Sequence, residues 1–204
     1  GQKNVGAVAG CTQVELSTQS MSGSVAGLIG NVHVVSGMVS GEDQTGGLVG
    51  RNGGASDQDT GFSVANAVDN CTFEGTVTGR EVTGGLIGCN NGTVTSSSAS
   101  GSVDASENGM IAGGAIGEND GDAYDSFADV DVSGYGTVGG FVGSSMGSVK
   151  RCYALGDVYG ADYVGGFAGR ISAVDTAVSA GRVTSSGTGS QGYIGGFAGH
   201  LGGS

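Results

Sequence analysis

Small or apolar residues recur along this chain in sets whose last four members are two positions apart. The set Val149, Cys152, Ala154, Gly156 and Val158 shows the pattern most clearly. Equivalent sets are Val68, Cys71, Phe73, Gly75, Val77; Val94, Ser97, Ala99, Gly101, Val103; Ala123, Ser126, Ala128, Val130, Val132; and Val174, Ala177, Ser179, Gly181, Val183. A spacing of two is the side-chain period of a β-strand, so the sets predict strands whose small side chains point inward.

A second pattern, two glycines followed by two apolar residues and a glycine, alternates with these sets. It ends at Gly50, Gly88, Gly117, Gly143, Gly169 and Gly199, with looser copies ending at Gly10 and Gly30. Such an array predicts an all-β protein, a parallel β-solenoid (β-helix) of about seven glycine-rich coils. Successive phrases should pair in parallel and place Phe141, Phe167 and Phe197 in one ladder.

The spacing of the phrases predicts one elongated repeat domain over residues 1–204. Coils are regular between 88 and 199, and those within 1–50 are shortened. The coil over 50–88 carries a long insertion that includes the polar stretch Arg51–Thr60. Length changes between recurring phrases indicate loops on a constant cross-section.

Composition excludes several other classes of protein. Glycine contributes 46 residues and proline none, without the strict three-residue period of collagen. Hydrophobic residues make up 37% and charged residues 13%, which favours an ordered chain over a disordered one. The net charge of −12 and the absence of a lysine or arginine cluster argue against nucleic acid as a partner. No apolar run approaches the ~20 residues of a membrane span, so no membrane insertion is expected.

The sequence contains no recognisable catalytic motif, so we expect no catalytic residue and no enzyme activity. The two histidines, His33 and His200, lie far apart and cannot form the H-E-x-x-H zinc motif. By alignment, His33 falls in the column of Cys152 and Ser97 (a column being the positions that stack in successive turns), which predicts a buried or half-buried residue. His200 is expected to be exposed.

The positions of the four cysteines argue against disulfides. Cys71 and Cys152 fall in one column three coils apart, and Cys11 and Cys89 each follow a recurring glycine, again three coils apart. Coils stack ~4.8 Å apart, so each pair would be separated by roughly 14 Å, beyond the ~7 Å that a disulfide spans. We therefore predict that the four cysteines are unpaired and buried and that they pack as small hydrophobic residues.

An acidic run supplies the candidates for a cation, which would be Ca²⁺; no other metal ligand and no cofactor is predicted. The run comprises Glu118, Asp120, Asp122, Asp125, Asp129 and Asp131, and the candidates are Asp120, Asp122, Asp129 and Asp131 from this run together with Asp157 from the next coil. The run lacks the complete EF-hand pattern, because Gly140 stands where the loop requires a glutamate. Asp131 should stack beside Asp157, with Arg182 on the next coil. This arrangement has two interpretations, a solvated charge pairing or the site of a β-helix polysaccharide lyase.

One set of outward positions is apolar in some coils and polar in others. Phe127, Tyr153 and Val178 should form one outward column, and Leu155 and Ala180 its neighbour. In the preceding coils the same columns hold Thr72, Ser98, Glu74 and Ser100. An exposed apolar patch usually marks a contact surface, so these five apolar residues are the predicted partner contacts. The alternative is that another segment of this chain covers them.

The phrases GGLVG (46–50), GGLIG (84–88) and GGFVG (139–143), with the segment RCYALGDV (151–158), resemble the GLUG repeat. The resemblance covers nearly the whole chain and is strongest from Gly88 to Gly199. GLUG repeats are found in secreted and cell-surface bacterial and archaeal proteins, including filamentous adhesins and immunoglobulin-A metallopeptidases. The resemblance implies an extracellular, non-catalytic module and carries over no catalytic residue.

Three functions remain open at this point. The first is a structural or adhesive module that displays side-chain columns to a protein or glycan at a cell surface. The second is a self-assembling filament or stalk subunit that stacks through uncapped solenoid ends. The third is an enzyme of the β-helix lyase type, which the acidic column alone supports.

Overall fold

The computed structural model describes residues 3–12, 24–53, 63–105, 109–187 and 192–202. In chain order the strands are β1 (Lys3–Val5), β2 (Ala9–Cys11), β3 (Ser24–Gly30), β4 (His33–Ser40), β5 (Asp43–Gly46), β6 (Val49–Asn52), β7 (Ser63–Asp69), β8 (Thr72–Thr78), β9 (Val82–Gly84), β10 (Ile87–Asn90), β11 (Thr93–Thr95), β12 (Ser98–Ala105), β13 (Ile111–Gly113), β14 (Ile116–Asn119), β15 (Asp122–Tyr124), β16 (Phe127–Gly134), β17 (Thr137–Gly139), β18 (Val142–Ser145), β19 (Ser148–Ala154), β20 (Val158–Gly160), β21 (Tyr163–Gly165), β22 (Ala168–Ile171), β23 (Val174–Ser179), β24 (Val183–Ser185), β25 (Tyr193–Gly195) and β26 (Ala198–Leu201).

These strands form three sheets in which each strand pairs with its equivalents in neighbouring turns. Sheet 1 has seven strands in the order β1-β5-β9-β13-β17-β21-β25, and sheet 2 has seven in the order β2-β6-β10-β14-β18-β22-β26. Sheet 3 has twelve strands and contains the remaining segment of each turn. The pairing is parallel in sheet 1, in sheet 2 and in sheet 3. The structure therefore confirms an all-β parallel β-solenoid, with no helix among the described residues.

The glycine phrases connect sheet 1 to sheet 2 and let the two sheets approach closely. In GGFVG, Gly139 ends β17 and Val142 begins β18. A Cβ atom at Gly139 would collide with the carbonyl oxygen of Val142 and lie 2.6 Å from the backbone nitrogen of Gly169. The recurring glycine is thus required by backbone contact, because any side chain would separate the sheets.

The predicted phenylalanine ladder is confirmed. The ring centroids of Phe141 and Phe167 are 5.2 Å apart, and those of Phe167 and Phe197 are 5.0 Å apart. The interplanar angles are 9° and 2°, so the three rings are stacked. The ladder follows directly from parallel pairing, because equivalent residues of successive turns lie above one another.

The inward columns form the core, as their spacing predicts. Val149, Ala154 and Val158 are buried, as are Val94, Ala99 and Val103. Val174 and Val183, in the last described turn of sheet 3, are only half-buried. The fully buried interior extends from the glycine phrase of Leu48 to that of Phe167, which is about four turns.

A corner with left-handed backbone explains why each inward set begins with a spacing of three. Six stacked residues at this corner have φ between 50° and 57°: Asn31, Asn70, Ser96, Asp125, Arg151 and Thr176. The corner divides sheet 3 into a first limb, before it, and a second limb, after it. In a regular strand, side chains three positions apart point to opposite faces. The left-handed residue between Val149 and Cys152 turns the backbone, so that both side chains point into the core.

The predicted shortened coils within residues 1–50 are wrong, and the count of about seven coils is not confirmed. The phrase ending at Gly30 lies in β3, which pairs with β7 so that Gly30 is opposite Asp69 in sheet 3. The residue opposite Ala9 is Val49, so these two positions are one turn apart and not two. The phrase is an extended strand with Leu28 facing water rather than a corner between sheets 1 and 2. Of the insertion Arg51–Thr60, residues 54–60 lie outside the described residues.

Candidate functional site on the outer face of sheet 3

The five predicted contact residues lie together on the outer face of the second limb. The column of Phe127, Tyr153 and Val178 follows from the parallel register of β16, β19 and β23. Leu155 and Ala180 follow Ala154 and Ser179 directly, and their backbone N–H groups donate to the carbonyl oxygens of the preceding turn. We call these five residues the apolar strip: Phe127, Tyr153, Leu155, Val178 and Ala180.

The apolar strip is open to water. Tyr153 is 39% exposed, Leu155 42% and Val178 58%. Ala180 is exposed and Phe127 is half-buried. The Phe127 and Tyr153 rings are parallel with centroids 4.9 Å apart, so each covers one face of the other. The strip is therefore a preformed surface whose rings are held by stacking.

The same columns are polar on the neighbouring turns. Thr72 pairs with Ser98, which pairs with Phe127, so the first column changes from hydroxyl to aromatic within one turn. Glu74 pairs with Ser100, which pairs with Asp129. The parallel register is the same from turn to turn, so the stacking does not require apolar residues in the strip.

A shallow groove of about 500 Å³ runs beside the strip, lined in part by Asp131, Asp157, Tyr159 and Arg182. The backbone N–H of Asp157 donates to Asp131 Oδ1 at 2.9 Å, and that of Arg182 donates to Asp157 Oδ1 at 2.8 Å. The predicted stacking of these three residues is confirmed. The strand is interrupted between β19 and β20, and there the two carboxylates accept hydrogen bonds in place of backbone carbonyl groups. This arrangement favours a structural role over the lyase interpretation.

The structure does not bring the five cation candidates into one site. Asp120 lies between β14 and β15, and Asp122 begins β15 in the first limb. Asp129 and Asp131 project from β16, and Asp157 lies between β19 and β20. Within the described ranges, no group of three or more histidine, cysteine, aspartate or glutamate side chains could hold a metal ion.

Asp125, also in the acidic run, is held by an exposed ion pair at the corner. Arg151 Nε donates to Asp125 Oδ1 at 2.6 Å and Arg151 Nη2 to Oδ2 at 2.7 Å. The hydrogen bond from Arg151 lowers the pKa of Asp125. The pair connects two turns at the surface, where such contacts contribute little to stability.

The outward column of sheet 2 contains two titratable groups with raised pKa values, Cys89 and Glu118. Cys89 pairs with Glu118 across β10 and β14. Burial raises the pKa of the Cys89 thiol to about 11, with Arg51 acting in the opposite direction. Burial, and then the charge of Asp120, raises the pKa of Glu118. A thiol with a raised pKa is a poor nucleophile, so Cys89 is not an activated cysteine.

The structure corrects the placement of both histidines. His33 pairs with Thr72, and its Nδ1 atom lies 2.9 Å from the Thr72 hydroxyl. It is exposed rather than buried, because it occupies the column of Tyr153 and not that of Cys152. His200 is half-buried rather than exposed, since its ring lies edge-on to the rings of Tyr163 and Tyr193.

Cys71, Cys89 and Cys152 are buried free thiols, as predicted. Cys71 and Cys152 share the inward column that follows the corner, and the Cys71 N–H donates to Ser97 Oγ at 3.1 Å. Cys11, by contrast, is exposed. Cys11 and Cys89 both pair with Arg51, so they are two turns apart and not three. Two turns span about 10 Å, still beyond the reach of a disulfide.

A buried ladder of amide side chains is the main feature that the sequence patterns did not reveal. Asn52 Nδ2 donates to Asn90 Oδ1 at 2.8 Å, and Asn90 Nδ2 donates to Asn119 Oδ1 at 2.7 Å. Asn119 Nδ2 continues to Ser145 Oγ at 3.1 Å. Each asparagine stands two residues after a glycine phrase. That recurrence was the available signal, and burial of the amides shows that the ladder is structural.

Comparison with protein families finds a match in one turn of the solenoid. The family model "Glug: The GLUG motif" matches residues 134–159, which run from the end of β16 through β17, β18 and β19 into β20. This turn is a GLUG motif. The chain is therefore consistent with a GLUG-repeat protein, and the glycine phrase GGFVG lies inside the matched GLUG motif.

No curated protein and no solved structure matches the chain significantly. The GLUG motif and the geometry of the solenoid thus carry the functional argument. In the part of the chain that the structure describes, no helix has the length and apolar character needed to cross a membrane.

Proposed function

We propose that this chain is a non-catalytic structural and adhesive module of an extracellular or cell-surface protein. The stacked turns form a rigid scaffold, and the outer face of the second limb contacts a protein or glycan partner. The β-solenoid and the GLUG motif fit a β-helix module, which is the scaffold that this proposal requires. Neither nucleic acid nor membrane insertion has a part in this proposal, because the net charge is −12 and no apolar run approaches the ~20 residues of a membrane span.

The observation that carries the proposal is the apolar strip. Fully burying a large apolar side chain stabilises by about 1.5–3 kcal/mol, so leaving Tyr153, Leu155 and Val178 partly in water forgoes part of that gain. The equivalent positions Thr72 and Ser98 show that polar residues fit the same columns. A partner that covers the strip accounts for both facts.

The absence of catalysis is supported by what the reactive side chains do. Asp131 and Asp157 accept backbone hydrogen bonds. The Cys89 and Cys152 thiols are buried with raised pKa values. The two carboxylates thus have structural partners, and the two thiols lie in surroundings that disfavour their ionisation. Both facts support a binding module over an enzyme.

The test replaces Tyr153 and Leu155 with serine in one variant. The parent should bind at least one surface in a panel of immobilised mucin, neutral oligosaccharides and extracellular matrix proteins. The Y153S/L155S variant should bind at least tenfold more weakly, with the same circular dichroism and melting temperature as the parent. The matched control M110S/M146S replaces two exposed apolar residues away from the strip and should bind like the parent. Equal binding by Y153S/L155S and the parent would contradict the proposal.

A second candidate function, self-association through the ends of the stack, is favoured by the last described turn. Ile194 is 46% exposed and Leu201 69%, although their columns are buried one turn earlier at Val164 and Ile171. A second copy stacked on this turn would bury both residues. Sedimentation velocity over a range of concentrations tests this candidate, and an I194K/L201K variant should associate less than the parent.

A further inference from the structure

The outer face of the second limb carries an excess of carboxylates around the apolar strip. Its outward acidic residues are Glu74, Asp104, Asp129, Asp131 and Asp157. The structure describes the outward positions of β8, β12, β16 and the equivalent segments up to β24. Among these positions there is one arginine, Arg182, and no lysine. The strip therefore lies in a strongly negative part of an already acidic chain.

The carboxylates border the strip on two sides. Asp129 occupies the column of Leu155 one turn earlier, so their backbones are ~4.8 Å apart. Asp157 lies two residues beyond Leu155, so the two Cα atoms are at most ~7 Å apart. A partner that covers Leu155 must bring its own atoms within a few ångströms of both acids.

Two of these acids are fixed in position before any partner arrives. Asp131 and Asp157 each accept a backbone N–H of the following turn, at 2.9 and 2.8 Å. The adjacent groove of about 500 Å³ also contains Asp104 and the ring of Tyr159, which is 46% exposed. Fixed carboxylates and an accessible aromatic ring are suited to a guanidinium or ammonium group.

We propose that the apolar strip and the bordering carboxylates together bind a basic protein segment, in which apolar side chains lie next to arginine or lysine. This inference rests on the proposed function, because it names the partner of the same strip. The apolar side chains of the segment cover Tyr153 and Leu155, and its cations lie in the groove beside Asp131 and Asp157. Charge complementarity selects this partner.

Other occupants fit the same surface less well. A second copy of this chain would place its own five carboxylates near these five, which opposes association. A neutral glycan could stack on Tyr153 but would desolvate Asp129 and Asp157 without supplying opposite charge. A basic segment satisfies the apolar and the acidic part of the surface at once.

The experiment removes the charge and keeps the structural hydrogen bonds. In a D129N/D131N/D157N variant, the amide Oδ1 at positions 131 and 157 can still accept the backbone hydrogen bond that the aspartate accepted. The control variant D120N/D122N/D175N removes the same charge from residues outside this part of the face. The probes are a short soluble peptide of leucine, arginine and serine, its counterpart with glutamate for arginine, its counterpart with serine for leucine, and a panel of neutral oligosaccharides.

The parent should bind the arginine-leucine peptide more tightly than either counterpart, with an affinity that falls as salt is added. D129N/D131N/D157N should weaken this binding at least tenfold and reduce its dependence on salt, whereas the control variant should stay within about twofold of the parent. Y153S/L155S should weaken it as well.

The results separate failure of this inference from failure of the proposed function. If oligosaccharides bind and Y153S/L155S loses them, but the peptide does not bind or is unaffected by D129N/D131N/D157N, the inference is wrong and the adhesive strip remains. If Y153S/L155S binds every probe like the parent, the strip is not a contact surface and both fail.

Discussion

The middle turns and the last described turn contain similar residues in the same columns, yet their burial differs sharply. Val149, Cys152 and Ala154 are at most 1% exposed. Val174, Ala177 and Ser179 pair with them one turn later and are only half-buried. In the ladder, Phe167 is fully buried and Phe197 is half-buried.

The difference shows that the core of this protein arises from stacking and not from any single coil. A middle turn has a neighbour on each side, whereas the last described turn has one. Each turn therefore contributes an apolar layer that becomes buried only when both neighbours are present. Substitutions at paired positions of the two turns can measure this effect.

The largest expected effect is in the phenylalanine ladder. Phe167 lies between Phe141 and Phe197, so replacing it with alanine should cost about 3–5 kcal/mol in the free energy of unfolding. Phe197 stacks on Phe167 alone, and F197A should cost less than half as much. Urea denaturation of both variants measures the difference. Equal losses would mean that the last turn is as well packed as the middle ones.

A smaller effect is expected from overpacking the column of Ala154. A Cβ atom placed on Gly140 would lie 3.1 Å from the Ala154 Cβ, so little space remains opposite this residue. A154L should cost about 1–3 kcal/mol. S179L, its equivalent in the last described turn, should be closer to neutral because Ser179 is half-buried. Thermal melting of the two variants provides the check, and unchanged stability in A154L would show that the column is not tightly packed.

The smallest effect concerns the reactivity of thiols in the folded protein. Burial raises the pKa of Cys152 to about 11, from 9.0 in water. The protonated Cys152 thiol therefore contributes to the stability of the folded state below about pH 9. This contribution to stability is lost as the pH rises through about 11. Alkylation of native Cys152 at pH 8, followed by peptide mass spectrometry, should be slow.

The matched variant A177C places a thiol in the same column one turn later. It should be alkylated at least tenfold faster than Cys152, because Ala177 is only half-buried. Similar alkylation rates at the two positions would show that the last described turn is as inaccessible to the reagent as the turn of Cys152.

Much of the candidate site could be predicted from sequence because the solenoid repeats its register. The recurring Gly-Gly phrase aligns one turn with the next, and this alignment placed Phe127 beside Tyr153 and Asp131 beside Asp157 correctly. It failed where a look-alike phrase at Gly30 lay in another strand, which displaced the assignment of the first turns. The column of His33 was also misassigned, because the residues around the corner were counted one position out of register.

The sequence alone determined the parallel stack, the inward columns and the phenylalanine ladder, since each depends only on local alternation and on the repeat. Which side chains are buried, and which partners they bond, was decided by the tertiary structure alone. The asparagine ladder forms because Asn52, Asn90 and Asn119 are brought together in a buried column. Asp131 and Asp157 become hydrogen-bond acceptors because the strand is interrupted beside them. Burial, and with it the pKa of Cys152, depends on the neighbours on both sides of a turn, and a single turn's sequence does not contain that information.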